Sequence, residues 1–168
     1  QSKATLFNSE FQELVKIIIA QGNNDSGLKG ELNSIFKELT NYIEANGLSD
    51  FYKIQILNYE SRKKDLIINT DYSNLDNLNQ DILNLKTRME VRKLDEKRKT
   101  EITNLVTKYQ TSFANLVENI KKEKSTNIKI KNAITEINKI TQSYTLTSYN
   151  KLEGHKDCLL YTSPSPRD

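Results

Sequence analysis

The sequence predicts an all-α protein: an elongated antiparallel coiled coil of three helices, the first truncated and the third longest. Apolar residues recur at three- and four-residue spacing through most of the chain, the period of an amphipathic helix. Five Gly and two Pro in 168 residues are too few for a turn-rich β-sandwich or a multi-crossover α/β fold. A hydrophobic content of 36% and a mean hydropathy of −0.68 fit helices with narrow apolar stripes and much solvated surface.

The first helix is expected over about residues 2–21, where Leu6, Phe7, Phe11, Leu14, Val15, Ile18 and Ile19 form the stripe. It stops in Gly22-Asn23-Asn24-Asp25-Ser26-Gly27, whose glycines tolerate positive φ. Asp25 or Ser26 is the candidate N-cap of the next helix. That helix is expected over about 28–69, with Leu28, Leu32, Ile35, Phe36, Leu39, Tyr42 and Ile43 followed by Phe51, Ile54, Leu57, Leu66 and Ile67. Asn46-Gly47 interrupts it, and a mid-helix Gly costs about 1 kcal/mol relative to Ala. Periodicity resumes almost in phase, which favours a kink in one helix over a break between two. Thr70-Asp71-Tyr72-Ser73-Asn74 ends this segment with Asx and Ser turn chemistry.

The third helix is expected over about 75–150, with no Gly or Pro before Gly154. It opens as a heptad, Leu75, Leu78, Ile82, Leu85 and Met89. Apolar positions return at Ile102, Leu105, Tyr109, Phe113, Leu116 and Ile120, then at Ile130, Ile134, Ile137 and Tyr144. Such a helix would run about 110 Å, against about 60 Å for the second. The excess needs a missing upstream helix or a second chain to cover its stripe, so dimerisation is expected.

Charge is unevenly divided. Residues 1–84 hold eight Lys and Arg against twelve Asp and Glu, and residues 85–157 hold sixteen against nine. An antiparallel hairpin of the second and third helices is expected to bring Arg62, Lys63 and Lys64 together with Lys86, Arg88, Arg92 and Lys93 at one distal end. A basic tip attracts phosphate of nucleic acid or of an anionic membrane. Interleaved Glu90, Asp95, Glu96 and Glu101 equally describe a solvated helix face, and they argue against nucleic acid as the partner.

Catalytic chemistry is thinly supplied. His155 is the single histidine and Cys158 the single cysteine, which excludes a multi-histidine or multi-cysteine metal site within this chain. No phosphate-loop, dinucleotide, zinc-protease, nucleophile-elbow or EF-hand pattern occurs. The tyrosines Tyr42, Tyr52, Tyr59, Tyr109 and Tyr144 fall on or beside the stripes and are expected to pack. The chain is expected to be non-enzymatic, with no cofactor and no metal. No apolar run reaches the roughly 20 residues of a membrane span.

Both ends depart from this pattern. Residues 158–168, CLLYTSPSPRD, carry both prolines and the only cysteine and resemble a translated sequencing adaptor, so they are expected to be non-native. Gln1 opens directly into helical pattern, so residues 1–157 are expected to be an internal piece of a longer protein.

The order QGNNDSGLKGEL, SIFKELTNYIEA, FYKIQILNYESRKKDLI, a polar turn, and then IKKEKSTNIKIKNAITEINKITQSYTLTSYNKLE resembles the C-terminal BAR domain of sorting nexins. Tyr52, Lys53, Tyr59, Glu60, Lys63, Lys64 and Leu66 match the family's second helix, and Phe113, Leu116, Val117, Ile120, Lys122 and Glu123 its third. The terminal Tyr149-Asn150-Lys151-Leu152 echoes its end. The tryptophan often found in the family's second helix is absent, and Asn46-Gly47 is an unusual break for it.

That resemblance implies a crescent-shaped homo- or heterodimer that senses or stabilises curved anionic or phosphoinositide-containing membrane, a cytoplasmic protein peripheral on endosomes in protein transport. Arg62, Lys63, Lys64, Lys86, Arg88, Arg92 and Lys93 would contact lipid, each worth about 1 kcal/mol near the surface. Leu32, Ile35, Leu39, Leu116, Ile120, Ile134 and Ile137 would pack the dimer. A coiled-coil structural scaffold or tether without membrane binding explains the heptads and charge equally well.

Overall fold

The computed structural model describes residues 2–161, with side chains through residue 153. Within them the chain forms five helices and no strand: α1 (Lys3–Gln21), α2 (Gly27–Ala45), α3 (Asp50–Asn69), α4 (Asn74–Val91) and α5 (Glu96–Tyr161). The all-α class is as expected. The second and third expected helices are not continuous; each is two helices. The adaptor-like assignment falls partly on residues 162–168, outside the described residues, and the side chains of His155 and Cys158 lie outside them too.

The first of these breaks is written in its hydrogen bonds. Beyond Ala45, the Gly47 amide donates to the Glu44 carbonyl (3.1 Å) and the Leu48 amide to that of Ile43 (3.0 Å), with Gly47 at φ +58°. This is a Schellman stop, in which a left-handed residue satisfies the last carbonyls and turns the chain away. Leu48 then packs back on the core. Asn46-Gly47 is thus a terminator, not a kink.

The break after α4 repeats the same bonds with lysine in place of glycine. The Lys93 amide donates to Glu90 (3.0 Å) and the Leu94 amide to Met89 (3.2 Å), with Lys93 at φ +48°. Asp95 then starts α5, its Oδ1 accepting the Arg98 amide (3.0 Å), which satisfies one of the first-turn donors.

The two remaining turns follow their side chains. In the first, Asn23 Oδ1 accepts from the Asp25 amide (2.8 Å) and from Ser26 Oγ (3.1 Å). Gly22 there is irreplaceable: at φ +65°, an added Cβ would lie 2.0 Å from the Ser26 carbonyl oxygen. Ser26 occupies the N-cap position of α2 but gives no side-chain cap, its hydroxyl being turned to Asn23. In the turn before α4, Asp71 Oδ1 accepts from the Ser73 amide (3.1 Å) and hydroxyl (2.7 Å).

The chain divides into two compact units, residues 14–125 and residues 1–13 with 126–168. In the first unit α2, α3, α4 and the adjoining part of α5 alternate in direction. Lys53 pairs with Glu44 (3.2 Å) and Arg62 with Asp81 (3.3 Å). Gln110 Nε2 donates to Asn79 Oδ1 (2.6 Å), and Ser112 Oγ to Glu31 Oε1, which returns α5 alongside α2. This is an up-down-up-down four-helix bundle.

Its core is built from all four helices: Leu32, Leu39, Tyr59, Leu66, Leu78, Ile102, Val106, Tyr109, Phe113 and Leu116 are fully buried. At its centre the rings of Tyr59 and Tyr109 lie 5.6 Å apart, and those of Tyr109 and Phe113 6.3 Å. Tyr109 donates its hydroxyl to the Tyr59 carbonyl (3.1 Å). Burial pushes both phenols well above their ordinary range, with Asp81 adding to the effect on Tyr59 and Glu60 to that on Tyr109. Ile17 of α1 is buried in this unit, and Gln21 Nε2 donates to Glu123 Oε2 (2.6 Å).

In the second unit the start of α1 meets the later part of α5. Phe7 and Phe11 stack at 6.2 Å, Lys129 pairs with Glu10 (3.3 Å), and Thr126, Ile130 and Ala133 are buried.

Candidate interaction surfaces

The expected basic tip does not assemble. Antiparallel pairing sets Arg62 level with Asp81, whereas Arg88 and Arg92 stack over Phe51 at 5.9 and 5.3 Å. Along α4, Arg88 and Arg92 therefore lie roughly 10 and 16 Å beyond the level of Arg62, at 1.5 Å per residue. Arg88, Arg92 and Lys93 lie at the end of α4 beside the turn before α3, where Arg92 Nη1 donates to Ser49 Oγ (3.1 Å).

Their environments differ as well. Lys63 is buried, donating to Glu60 Oε1 (2.7 Å) and to Asn33 Oδ1. It links α2 to α3 instead of facing outward, so its expected lipid contact is corrected to a core ion pair. Arg62 is half-buried on Asp81, and Lys86 is half-buried too. Lys64, Arg88, Arg92 and Lys93 are exposed.

The expected dimer positions also divide. Leu32, Ile35, Leu39 and Leu116 are sealed in the chain's own core, and Ile120 packs against it. These serve internal packing and offer no surface to a second copy. Ile137 is half-buried and Ile134 is 42% exposed.

A groove of about 690 Å³ lies between α2 and α5, lined by Glu31, Ser34, Glu38, Glu101, Lys108 and Ser112 among others. Glu31 is engaged by Ser112. No group of three or more His, Cys, Asp or Glu residues suited to a metal occurs among the described residues, and no described helix is long and apolar enough to cross a membrane.

The feature that sequence reasoning underrated is the end of α5. Its core seam follows alternating steps of four and three: Ile102, Val106, Tyr109, Phe113, Leu116 and Ile120. The same register runs on without a skip through Glu123, Asn127, Ile130, Ile134, Ile137, Thr141, Tyr144 and Ser148. Burial leaves that register: beyond Ile120 the buried positions are Thr126, Ile130 and Ala133, with Ile137 half-buried and Ile134 42% exposed, the drift of a 3.5-residue repeat on an α-helix. Every residue from Asn138 to Glu153 is exposed, including Tyr144 at 72% and Leu152 at 64%.

Residues 140–150, ITQSYTLTSYN, carry no charge on any face, in a chain that is 28% charged. The threonine hydroxyls here turn inward: those of Thr141, Thr145 and Thr147 donate to the carbonyls of Ile137, Thr141 and Ser143 at 2.9–3.0 Å. That back-bonding takes up the hydroxyl protons within the helix. The charge-free run was the sequence signal for this surface.

No family model, curated protein or solved structure matches the chain.

Proposed function

We propose that the chain is a non-enzymatic helical scaffold or tether segment, which acts by presenting helix surfaces to partners. The observation that carries this reading is the exposed stretch of α5 from Asn138 to Glu153, whose residues 140–150 carry no charge. Exposed helix faces of this kind recognise other helices. The bundle of residues 14–125 supplies a stable base, since its apolar core is closed on all four sides by its own helices.

A second reading, peripheral binding of a BAR-type dimer to curved anionic endosomal membrane, has its support in exposed Lys64, Arg88, Arg92 and Lys93. Burial of Lys63 and the separation of the two basic groups weigh against it.

Co-sedimentation with neutral and with anionic vesicles separates the two. The scaffold reading expects little pelleting with either. Salt-sensitive pelleting with anionic vesicles alone, lost when Lys64, Arg88, Arg92 and Lys93 are changed to Glu, would overturn it in favour of the membrane reading.

A further inference from the structure

We infer that the turn between α4 and α5 is a hinge through which two copies of this chain exchange the bundle portion of α5, with α4 and α5 of each copy becoming one unbroken helix. The inference goes beyond the scaffold reading and does not rest on it. Three observations carry it.

The first is a conflict between local sequence and local structure. From Leu75 to Glu153 the chain has neither Gly nor Pro, and Arg92, Lys93, Leu94, Glu96 and Lys97 at the turn are all good helix formers. Yet Lys93 sits at φ +48°, in the left-handed region that a residue with a Cβ enters only at a cost. Straightening the turn returns Lys93 to ordinary helical backbone. Short connections under strain are the ones through which elements exchange between copies.

The second is what the straightened helix leaves uncovered. Ile102, Val106, Tyr109, Phe113 and Leu116 fill the core against α2, α3 and α4. Once α5 swings out, an identical α5 offers those same side chains at the same spacing to the core it left. Reciprocal exchange remakes the contacts between copies, among them Tyr109 with the Tyr59 carbonyl, Gln110 with Asn79 and Ser112 with Glu31. One element exchanged twice closes a two-fold dimer.

The third is charge at the crossing. The bond between Gln110 and Asn79 fixes the register of α5 against α4. Carried through two straightened helices, that register makes them cross antiparallel near Leu94. Arg92 and Lys93 of one copy then lie level with Asp95 and Glu96 of the other, and Glu90 with Arg98 and Lys99. Opposite charges flanking a helix pair select its partner and direction, and here the partner they fit is a second copy.

The test is refolding of the full chain from urea at several hundred micromolar and, in parallel, at low micromolar, each followed by sedimentation velocity. The expected result is a species of twice the monomer mass after concentrated refolding only, slow to revert on dilution because α5 must leave one core to re-enter the other. Proline is tolerated at the first position of a helix and breaks its interior. Glu96→Pro should therefore abolish that species while the monomer keeps its helical circular dichroism. Lys93→Gly relieves the turn and weakens the straight helix, and should lower the dimer share about tenfold.

A crosslink identifies the connection. Glu38 and Lys108 line the groove between α2 and α5, so Glu38→Cys with Lys108→Cys, in a Cys158→Ser background, places two thiols across it. A short bismaleimide should join them within one chain in the monomer and between chains in the dimer. A chain that refolds only as monomer, a dimer undiminished by Glu96→Pro or by Lys93→Gly, or a dimer whose crosslinks stay within one chain would each overturn the inference. Vesicle binding tests the scaffold reading separately, so either can fail without the other.

Discussion

Substituting Lys93 by glycine should stabilise the protein, and substituting Gly47 by alanine should destabilise it. Both residues hold left-handed backbone, at φ +48° and +58°, in the same Schellman geometry at the ends of α4 and α2. A non-glycine residue pays about 1–2 kcal/mol in that region, while glycine loses about 0.5–1 kcal/mol more chain entropy on folding. Lys93→Gly should therefore gain about 0.5–1 kcal/mol, a rise of about 3 °C in Tm for a domain of this size. An alanine Cβ at position 47 would meet no atom within 4 Å, so the loss in Gly47→Ala is torsional alone, about 1 kcal/mol.

Urea unfolding followed by far-UV circular dichroism at low protein concentration measures both. The test has force because its sign inverts under the alternative. Were these positions inside continuous helices, Lys93→Gly would cost up to about 1 kcal/mol and Gly47→Ala would gain about as much. That inverted pair of signs would refute the two helix breaks and, with them, the four-helix bundle.

Alkaline pH should unfold the protein through its central tyrosines. Their folded pKa values are raised, so their contribution is complete below the ordinary value near 10 and declines as pH climbs toward the folded values. Each contributes a slope of about 1.4 kcal/mol per pH unit. Tyr59→Phe should flatten the fall by one such slope at little cost at neutral pH, because the Tyr59 hydroxyl is buried without a partner; an unchanged profile in Tm against pH would refute this. Lys63→Met should destabilise by about 1–3 kcal/mol, since it strands Glu60 in a largely buried site. Adding Glu60→Gln should recover most of that loss, and a full double-mutant cycle by urea unfolding measures the coupling. A Lys63→Met variant as stable as the parent would return Lys63 to the status of a surface cation.

What the sequence disclosed, and what it withheld, follows from the chemistry of its turns. The turns at 22–26 and 70–73 were legible because Gly, Asn, Asp and Ser announce them, and the hydrogen bonds of Asn23 and Asp71 are the ones those residues make. Asn46-Gly47 was visible but misread, because apolar spacing resumes nearly in phase on the far side. The turn at Lys93 was hidden, because lysine holds a position that glycine usually marks.

One signal for that hidden turn was present. Continuing the heptad of Leu78, Ile82, Leu85 and Met89 lands on Arg92, Glu96 and Lys99, three charged residues where an unbroken helix needs apolar ones. The candidate surfaces inherited these errors. Proximity to one turn put Arg62 and Arg92 at one end, although antiparallel pairing sets Arg62 level with Asp81, and three rods assumed in place of five helices treated Leu39 and Leu116 as available to another chain. Lys63 eluded composition altogether, because only the fold brings Asn33 within its reach.

The inward-turned threonines have a consequence for how α5 meets its surroundings. Hydropathy scales score threonine as nearly neutral because they weigh its alcohol against water. On this helix the protons of three of those alcohols are already given to the turn behind them, so toward water they act as acceptors only. The stretch therefore draws on the solvent less than its one-letter code suggests.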